Sequence, residues 1–230
     1  MITSFEGVMG SGKTLTAAAL AFMEYSQNGK RIISNIHLNF PYTHFDMAWF
    51  MENLQTTQME NCITLLDEAQ QYLDSRRSGG KANILWGYYT VQTRKKNVDL
   101  YACFHHIDVM DKRFRRQIDV RGTCRYLKED PCRKCNGEGL IPRGTLECPK
   151  CQGSGKIDGV PCARCKGRGE VCPRCLGYGV SGTATTRFLD IRQGRRTRIR
   201  VFGPAFFDVY DTAETIPFTG KQLRIPVEDL

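Results

Sequence analysis

Apolar residues in this chain fall into short runs separated by longer, differently patterned stretches. Ile2 to Phe5, Arg31 to Ile36 and Asp99 to Phe104 read as strands. Cys62-Ile63-Thr64-Leu65-Leu66 is a continuous run of the kind that forms a parallel strand buried on both faces. Lys13 to Gln27 is rich in Ala and Leu and is closed by Asn28-Gly29, which predicts a helix with a glycine stop. Ile84 to Asn97 predicts a second helix leading into the last of these strands. Such alternation predicts an α/β fold, a mainly parallel sheet with helices on both faces. Near residue 131 the apolar runs stop and Cys and Gly recur instead. After Gly182 two alternating segments, Thr185 to Arg192 and Arg196 to Phe202, flank Gln193-Gly194-Arg195 and read as a hairpin.

The first strand leads into Gly7-Val8-Met9-Gly10-Ser11-Gly12-Lys13-Thr14, which fits the phosphate-binding pattern G-x-x-x-x-G-K-[ST]. Gly7, Gly10 and Gly12 let the backbone approach phosphates, and the amides around Ser11 turn inward. Lys13 is placed for the β- and γ-phosphates of ATP, and the Thr14 hydroxyl for Mg²⁺. The following helix offers its unpaired N-terminal donors to the same group. A tight glycine turn without a ligand would share the pattern but not its strand-to-helix setting.

Asp67-Glu68 follows the buried Cys62 run directly. Asp67 is placed to hold Mg²⁺, and Glu68 to polarise the water that attacks the γ-phosphate. His105 and His106 follow the Asp99 strand, and His105 is a candidate γ-phosphate sensor, although a lone His is more often structural. Ligands of open parallel sheets bind beyond the C-terminal strand ends. The phosphate loop, Asp67-Glu68 and His105 all fall at such ends.

Of the eleven cysteines, eight lie between Cys132 and Cys175 in four units of the form C-x-x-C-x-G-x-G. The units start at Cys132, Cys148, Cys162 and Cys172 and place their second cysteines at Cys135, Cys151, Cys165 and Cys175. Paired thiolates three apart chelate one edge of a tetrahedral ion, and two units close one four-thiolate site. Four units therefore predict two structural Zn²⁺ ions with no open coordination position; an iron–sulfur cluster is the rival. Cys62, Cys103 and Cys124 lie in apolar runs and read as small buried hydrophobes.

With 230 residues and 41% hydrophobic content, the chain can build one core and a smaller module. Its longest apolar run, Ala17 to Met23, is too short to cross a bilayer, and no signal-peptide pattern occurs, so a cytoplasmic protein is expected. The formal charge is +9, which falls to about +5 once eight thiolates hold two Zn²⁺. Nucleic-acid binding by the cysteine region is thus not forced by charge. The hairpin carries Arg187, Arg192, Arg195, Arg196, Arg198 and Arg200 against Asp190 alone. A solvated edge kept from aggregating and a surface for DNA or acidic lipid explain this equally well.

The cysteine units resemble the zinc-binding region of DnaJ chaperones. That resemblance implies pairing of the first unit with the fourth and of the second with the third. Cys132, Cys135, Cys172 and Cys175 would then hold one Zn²⁺, and Cys148, Cys151, Cys162 and Cys165 the other. The spacer between the second and third units is shorter than in that family. No His-Pro-Asp occurs, so a J-domain function is not implied.

Five other segments carry a second resemblance: Gly7 to Thr14, Gly29-Lys30-Arg31-Ile32-Ile33-Ser34-Asn35-Ile36, Leu65-Leu66-Asp67-Glu68-Ala69-Gln70, Thr93-Arg94-Lys95-Lys96-Asn97-Val98-Asp99, and Asp208-Val209-Tyr210-Asp211-Thr212. Together they resemble the zonula occludens toxin-like P-loop ATPases, which include morphogenesis ATPases of filamentous phages and lie near the FtsK/HerA motors. The match covers residues 1 to about 128 and resumes from about 183 to 215. It therefore implies an ATPase core over 1–130, an inserted zinc module over 131–181, and a core continuation over 182–230. His105 stands where the family usually has Gln, which puts γ-phosphate sensing in doubt. Phage-assembly members also carry a transmembrane segment after this domain; none follows here, so membrane attachment would need a partner protein.

The resemblance implies an ATP-hydrolysing viral or mobile-element protein for virion morphogenesis, export or DNA translocation. It would act as a homo-oligomeric ring, a hexamer being one form, with DNA or virion-assembly proteins as partners. It would sit in the host cytoplasm, or at the inner membrane through a partner. Arg94, Arg113, Arg115 and Arg116 are the arginines that would reach a neighbour's γ-phosphate. Two other readings stand beside this one. One is an ATP-switched, chaperone-like protein whose zinc module binds unfolded or assembling polypeptides; the other is a zinc-dependent nucleic-acid-binding scaffold.

Overall fold

The apolar runs become adjacent strands of one sheet. The computed structural model describes residues 1–125, 130–141 and 146–211. Thr212 of the last matching segment, and the remainder of the 182–230 region, lie outside the described residues. The core elements are β1 (Ile2–Glu6), α1 (Lys13–Asn28), β2 (Arg31–Ser34), β3 (Thr43–His44), α2 (Met47–Asn53), β4 (Cys62–Leu66), α3 (Lys81–Gln92), β5 (Asp99–Phe104), α4 (Lys112–Arg115) and β6 (Val120–Arg125). The cysteine region holds four two-residue strands: β7 (Leu146–Glu147), β8 (Lys156–Ile157), β9 (Val160–Pro161) and β10 (Glu170–Val171). The chain then returns as β11 (Thr183–Asp190), β12 (Arg196–Phe202) and the short helix α5 (Gly203–Phe206).

The main sheet has eight strands in the order β12-β11-β6-β1-β5-β4-β2-β3. Neighbours from β6 to β3 run parallel, while β11 pairs antiparallel with both β6 and β12. The mainly parallel sheet expected from the alternation is therefore present, extended by an antiparallel edge.

Side chains alternate between the faces. Phe5, Tyr101 and Cys103 point to one face and pack with Ala17, Ala18 and Ala21 of α1. Small alanines let that helix lie close to the strands. Ile2, Leu100, Ala102 and Phe104 point to the other, against Phe50 of α2, Trp86 and Tyr89 of α3, and Phe114 of α4. Phe50 and Trp86 stack with centroids 4.1 Å apart and planes 7° off parallel. Helices thus cover both faces.

Three boundaries differ from the sequence pattern for local reasons. α1 ends one residue later than expected, at Asn28, where left-handed Gly29 donates its N–H to Glu24 and Tyr25. The β2 strand stops at Ser34 rather than Ile36, because Asn35 turns to hold Asp67. The second helix spans Lys81–Gln92 rather than Ile84 to Asn97; Asn97 is left-handed (φ 52°) and ends the turn that follows it. Among the described residues, no helix is long and apolar enough to cross a membrane.

Candidate functional site

The loop after β1 closes tightly on itself and enters α1 through left-handed Gly10 (φ 72°) and Gly12 (φ 80°). A Cβ on Gly7 would stand 2.5 Å from Ser11 Oγ and 2.7 Å from the Cys124 carbonyl, so the loop passes too close to β6 for any side chain. No side chain caps the helix N-terminus and no acidic residue stands in its first turn. Its donors are thus left for an anion. Lys13 is buried and its Nζ donates to the Val8 carbonyl across the loop at 3.1 Å. The Ser11 hydroxyl is buried without a partner among the described residues.

Two β-strand ends bring the remaining groups to this loop. The Thr14 hydroxyl lies 3.1 Å from each carboxylate oxygen of Asp67, at the end of β4. Burial pushes the Asp67 carboxyl up to about 6; Glu68 adds to the rise, and the Thr14 hydroxyl opposes it. A buried carboxylate beside a hydroxyl is an all-oxygen donor set, the kind Mg²⁺ accepts. The residues present therefore fit that ion.

Asn35 was not singled out from the sequence, although it lies in a matching segment. Its Oδ1 accepts from the Asp67 N–H at 2.7 Å, and its Nδ2 donates to the Asp67 carbonyl at 2.9 Å. It braces the carboxylate's backbone from both sides. Polar groups also line the back of the loop. The Thr16 hydroxyl contacts the Gly12 carbonyl at 2.8 Å and the Thr186 hydroxyl at 3.1 Å, and Cys124 lies behind them.

Glu68 adopts a left-handed backbone (φ 50°), which turns its side chain away from the β4 direction. Its carboxylate pairs with Gln70 Nε2, and His105 Nε2 stands 3.4 Å away. His106 points elsewhere, capping the next turn and pairing with Asp108. The four arginines named from the sequence are scattered. Arg113 is held by Asp111, and Arg115 by Asp108. Arg94 and Arg116 line a cleft with Ile2 and Asp119, at the end of β1 opposite the phosphate loop.

The cysteines gather into two buried clusters, Cys132/Cys135/Cys172/Cys175 and Cys148/Cys151/Cys162/Cys165. Sulfur pairs across the clusters lie 4.0 and 3.6 Å apart in the first and 3.9 and 3.7 Å in the second. A tetrahedral Zn²⁺ with bonds of about 2.3 Å requires sulfurs about 3.8 Å apart. Both donor sets fit zinc, and the pairing of units is the one implied by the resemblance to DnaJ.

The glycines explain why each unit needs its second G. Gly139, Gly155, Gly169 and Gly179 donate their N–H groups to Cys135, Cys151, Cys165 and Cys175 at 3.2–3.3 Å. A Cβ on any of them would meet the partner unit's glycine carbonyl at 2.2–2.5 Å. Carbonyls of the same four glycines accept from Cys172, Cys162, Cys148 and Cys132, each at 2.8 Å. Each pair of units is therefore a reciprocal backbone clasp around its metal position. Cys62, Cys103 and Cys124 are separate and buried, as small hydrophobes are.

No protein-family model matches the chain. Two curated relatives are chaperone proteins DnaJ. That of Chlorobium luteolum is 29% identical over 91 residues, covering 33% of this chain and 24% of the relative. That of Syntrophobacter fumaroxidans is 36% identical over 108 residues, covering 41% and 22%. The chain thus spans about a quarter of the length of the curated relatives it matches. Among solved structures, the N-terminal domain of zonular occludens toxin from Neisseria meningitidis aligns with a TM-score of 0.51 at 15% identity, over 91% of this chain and 98% of that one. The chain therefore shares the P-loop fold of that toxin domain and carries, between β6 and β11, a DnaJ-like cysteine region built to hold two zinc ions.

Proposed function

We propose that this protein is a P-loop ATPase that couples hydrolysis to moving DNA or assembling a virion, working as a homo-oligomeric ring. The observation that carries the ATPase reading is the meeting of Thr14 with Asp67, with Glu68 and His105 beside them at the mouth of the phosphate loop. Mg²⁺, held by Thr14 and Asp67, would supply charge neutralisation on the phosphates. The chain's own groups do the rest. Gly10 and Gly12 turn amides inward, Lys13 balances phosphate charge, and Asn35 fixes Asp67. Glu68 accepts a hydrogen bond from the attacking water, and His105 orients Glu68 from 3.4 Å.

Residues 1–130 and 182–230 form the ATPase core in this reading, with 131–181 inserted. The pairing of β6 with β11 supports that division, because the core sheet continues across the cysteine region. ATP turnover by the zinc-loaded chain tests the proposal. Lys13→Ala and Glu68→Gln should each lower kcat by about 100-fold or more, as loss of a positioned catalytic group does. Glu68→Gln should still bind ATP. Unchanged turnover in both variants would sink the assignment. Light scattering with a non-hydrolysable ATP analogue tests the ring, which predicts a discrete multimer.

A second reading draws on the exposed Val160 and Leu146 of the zinc module, apolar groups that suit a polypeptide ligand. It predicts that denatured protein, and not DNA, stimulates turnover.

A further inference from the structure

Among the described residues, no helix packs on one face of the antiparallel edge of the sheet. In register, Arg125 pairs with Thr185, Thr123 with Arg187, and Arg121 with Leu189. On the other side Thr185 pairs with Arg200, Arg187 with Arg198, and Leu189 with Arg196. All of these residues point the same way, because paired residues share a face and every second residue repeats it. Six arginines from three strands thus stand on one surface. Two of them, Arg121 and Arg125, come from β6, distant in sequence from the hairpin.

The opposite face of these strands is covered: Phe188 packs on Phe5, and Ala184 and Val201 pack on Leu15 and Ala19 of α1. On the arginine face, Arg125, Arg187, Arg196, Arg198 and Arg200 are exposed and, among the described residues, none has a carboxylate partner. Among the described residues Arg121 alone is paired, with Glu6 at 2.8 Å. An open cleft of about 560 Å³ runs between Arg121, Arg187, Arg196 and Arg198.

We propose that this face is a docking surface for the phosphate backbone of a nucleic-acid duplex. Guanidinium forks take phosphate oxygens two at a time, and no lysine occurs on the hairpin. Same-face arginines on β12 are spaced about 6.7 Å apart and strands about 4.8 Å, so the charges form a two-dimensional array rather than a point. Thr123 and Thr185 place hydroxyls between them, groups that commonly contact phosphates. Among the described residues the face carries one exposed aromatic, Phe202, at its end across from Thr183, rather than the row of rings on which single-strand binding stacks successive bases. Apart from Phe202 at the end of β12, the face's apolar side chain within the strands is the half-buried Leu189, and the exposed Ile191 lies beyond the strand ends, so no apolar wedge projects from among the arginines. The surface names the substrate class of the motor proposed above, while binding itself needs no ATP turnover.

Fluorescence anisotropy of a short labelled duplex of arbitrary sequence, with the full zinc-loaded chain and no nucleotide, tests this. Five phosphate contacts predict an affinity loss of about 500-fold between about 50 and 200 mM salt. The triple variant Arg187→Gln, Arg198→Gln, Arg200→Gln should keep its melting temperature and lower the log–log salt slope by about 2.7. If it fails to fold, Arg198→Gln alone should lower the slope by about 0.9. A charge-matched control, Arg76→Gln, Arg133→Gln, Arg174→Gln, should leave the slope unchanged. An equal loss in that control, tighter binding to single strands, or binding lost by the triple variant only on phosphatidylserine vesicles would each overturn the proposal. An inactive ATPase would not affect any of these readouts.

Discussion

The sheet core and the cysteine module achieve order in opposite ways. The core buries large side chains, with Phe45, Phe50, Trp86, Tyr89, Phe104 and Phe114 in one continuous cluster. The module buries eight cysteines with little beyond Leu140 and Val171. Its glycines, packed backbone to backbone, leave almost no apolar surface to remove from water. The core can therefore hold an open, polar site at its edge and remain folded. The module's eight thiolates would fill every position of two tetrahedral ions, so a metal held there would serve structure alone. The open polar site lies in the region that can sustain a gap.

Removing zinc should give the largest effect. Structural Zn²⁺ contributes about 10–16 kcal/mol in isolated finger peptides, far more than two small apolar clusters. Chelation is expected to abolish amide-exchange protection over residues 131–180 while α1 and β4 stay protected. Metal analysis should return two zinc ions per chain; a ratio far from two would break the paired-site picture. Loss of protection in β4 at the same chelator concentration would show that the two regions do not fold separately.

Phe50→Ala probes the other side. It removes the ring stacked on Trp86 and should cost about 3–5 kcal/mol in denaturant unfolding of the core. Zinc content should not change. A loss of less than about 1 kcal/mol would mean that the core, too, depends on something other than this burial.

Asn35→Ala sharpens the comparison at the site itself. It leaves the Asp67 N–H and carbonyl unpaired in a buried place, at about 1–3 kcal/mol for each orphaned group. Turnover should fall through kcat more than KM, because the phosphate loop is untouched. If kcat is unchanged at equal folded fraction, Asn35 is only structural.

What the sequence made legible follows the same division. Continuous apolar runs marked β1, β4 and β5 closely, since strands buried on both faces admit few polar residues. The cysteine units were legible because ligand spacing is a local property. Lateral order was not. That β6 would lie beside β1 and then take β11 on its far side depends on packing between segments far apart in the chain. The six-arginine face and the brace of Asn35 on Asp67 arise from that order, so neither showed in linear spacing. The helix over Lys81–Gln92 departs from the sequence pattern at both ends, because Tyr88 and Val91 are exposed and its apolar positions do not form one stripe.

The smallest expected effect lies where the two regions touch. Arg164 of the third cysteine unit lies over the Tyr178 ring at 4.3 Å and donates to its hydroxyl at 2.5 Å. Both groups also bond Asp208, just after α5, and Tyr178 packs edge-on against Phe207. Burial alone would raise the Asp208 carboxyl, but the bonds from Arg164 and Tyr178 outweigh it and hold the group below the usual carboxylate range. A depressed folded-state value means that this contact stabilises above the unfolded carboxylate's pKa of about 3.9 and is lost as pH falls through the folded one. Asp208 remains largely exposed, so solvent screens the pair. A double-mutant cycle of Arg164→Ala and Asp208→Asn should therefore give a coupling of only about 0.2–1 kcal/mol at neutral pH, and none in strong acid. A coupling of several kcal/mol would mean that module and core fold as one unit, and the contrast between metal-built and apolar-built regions would no longer describe independent parts.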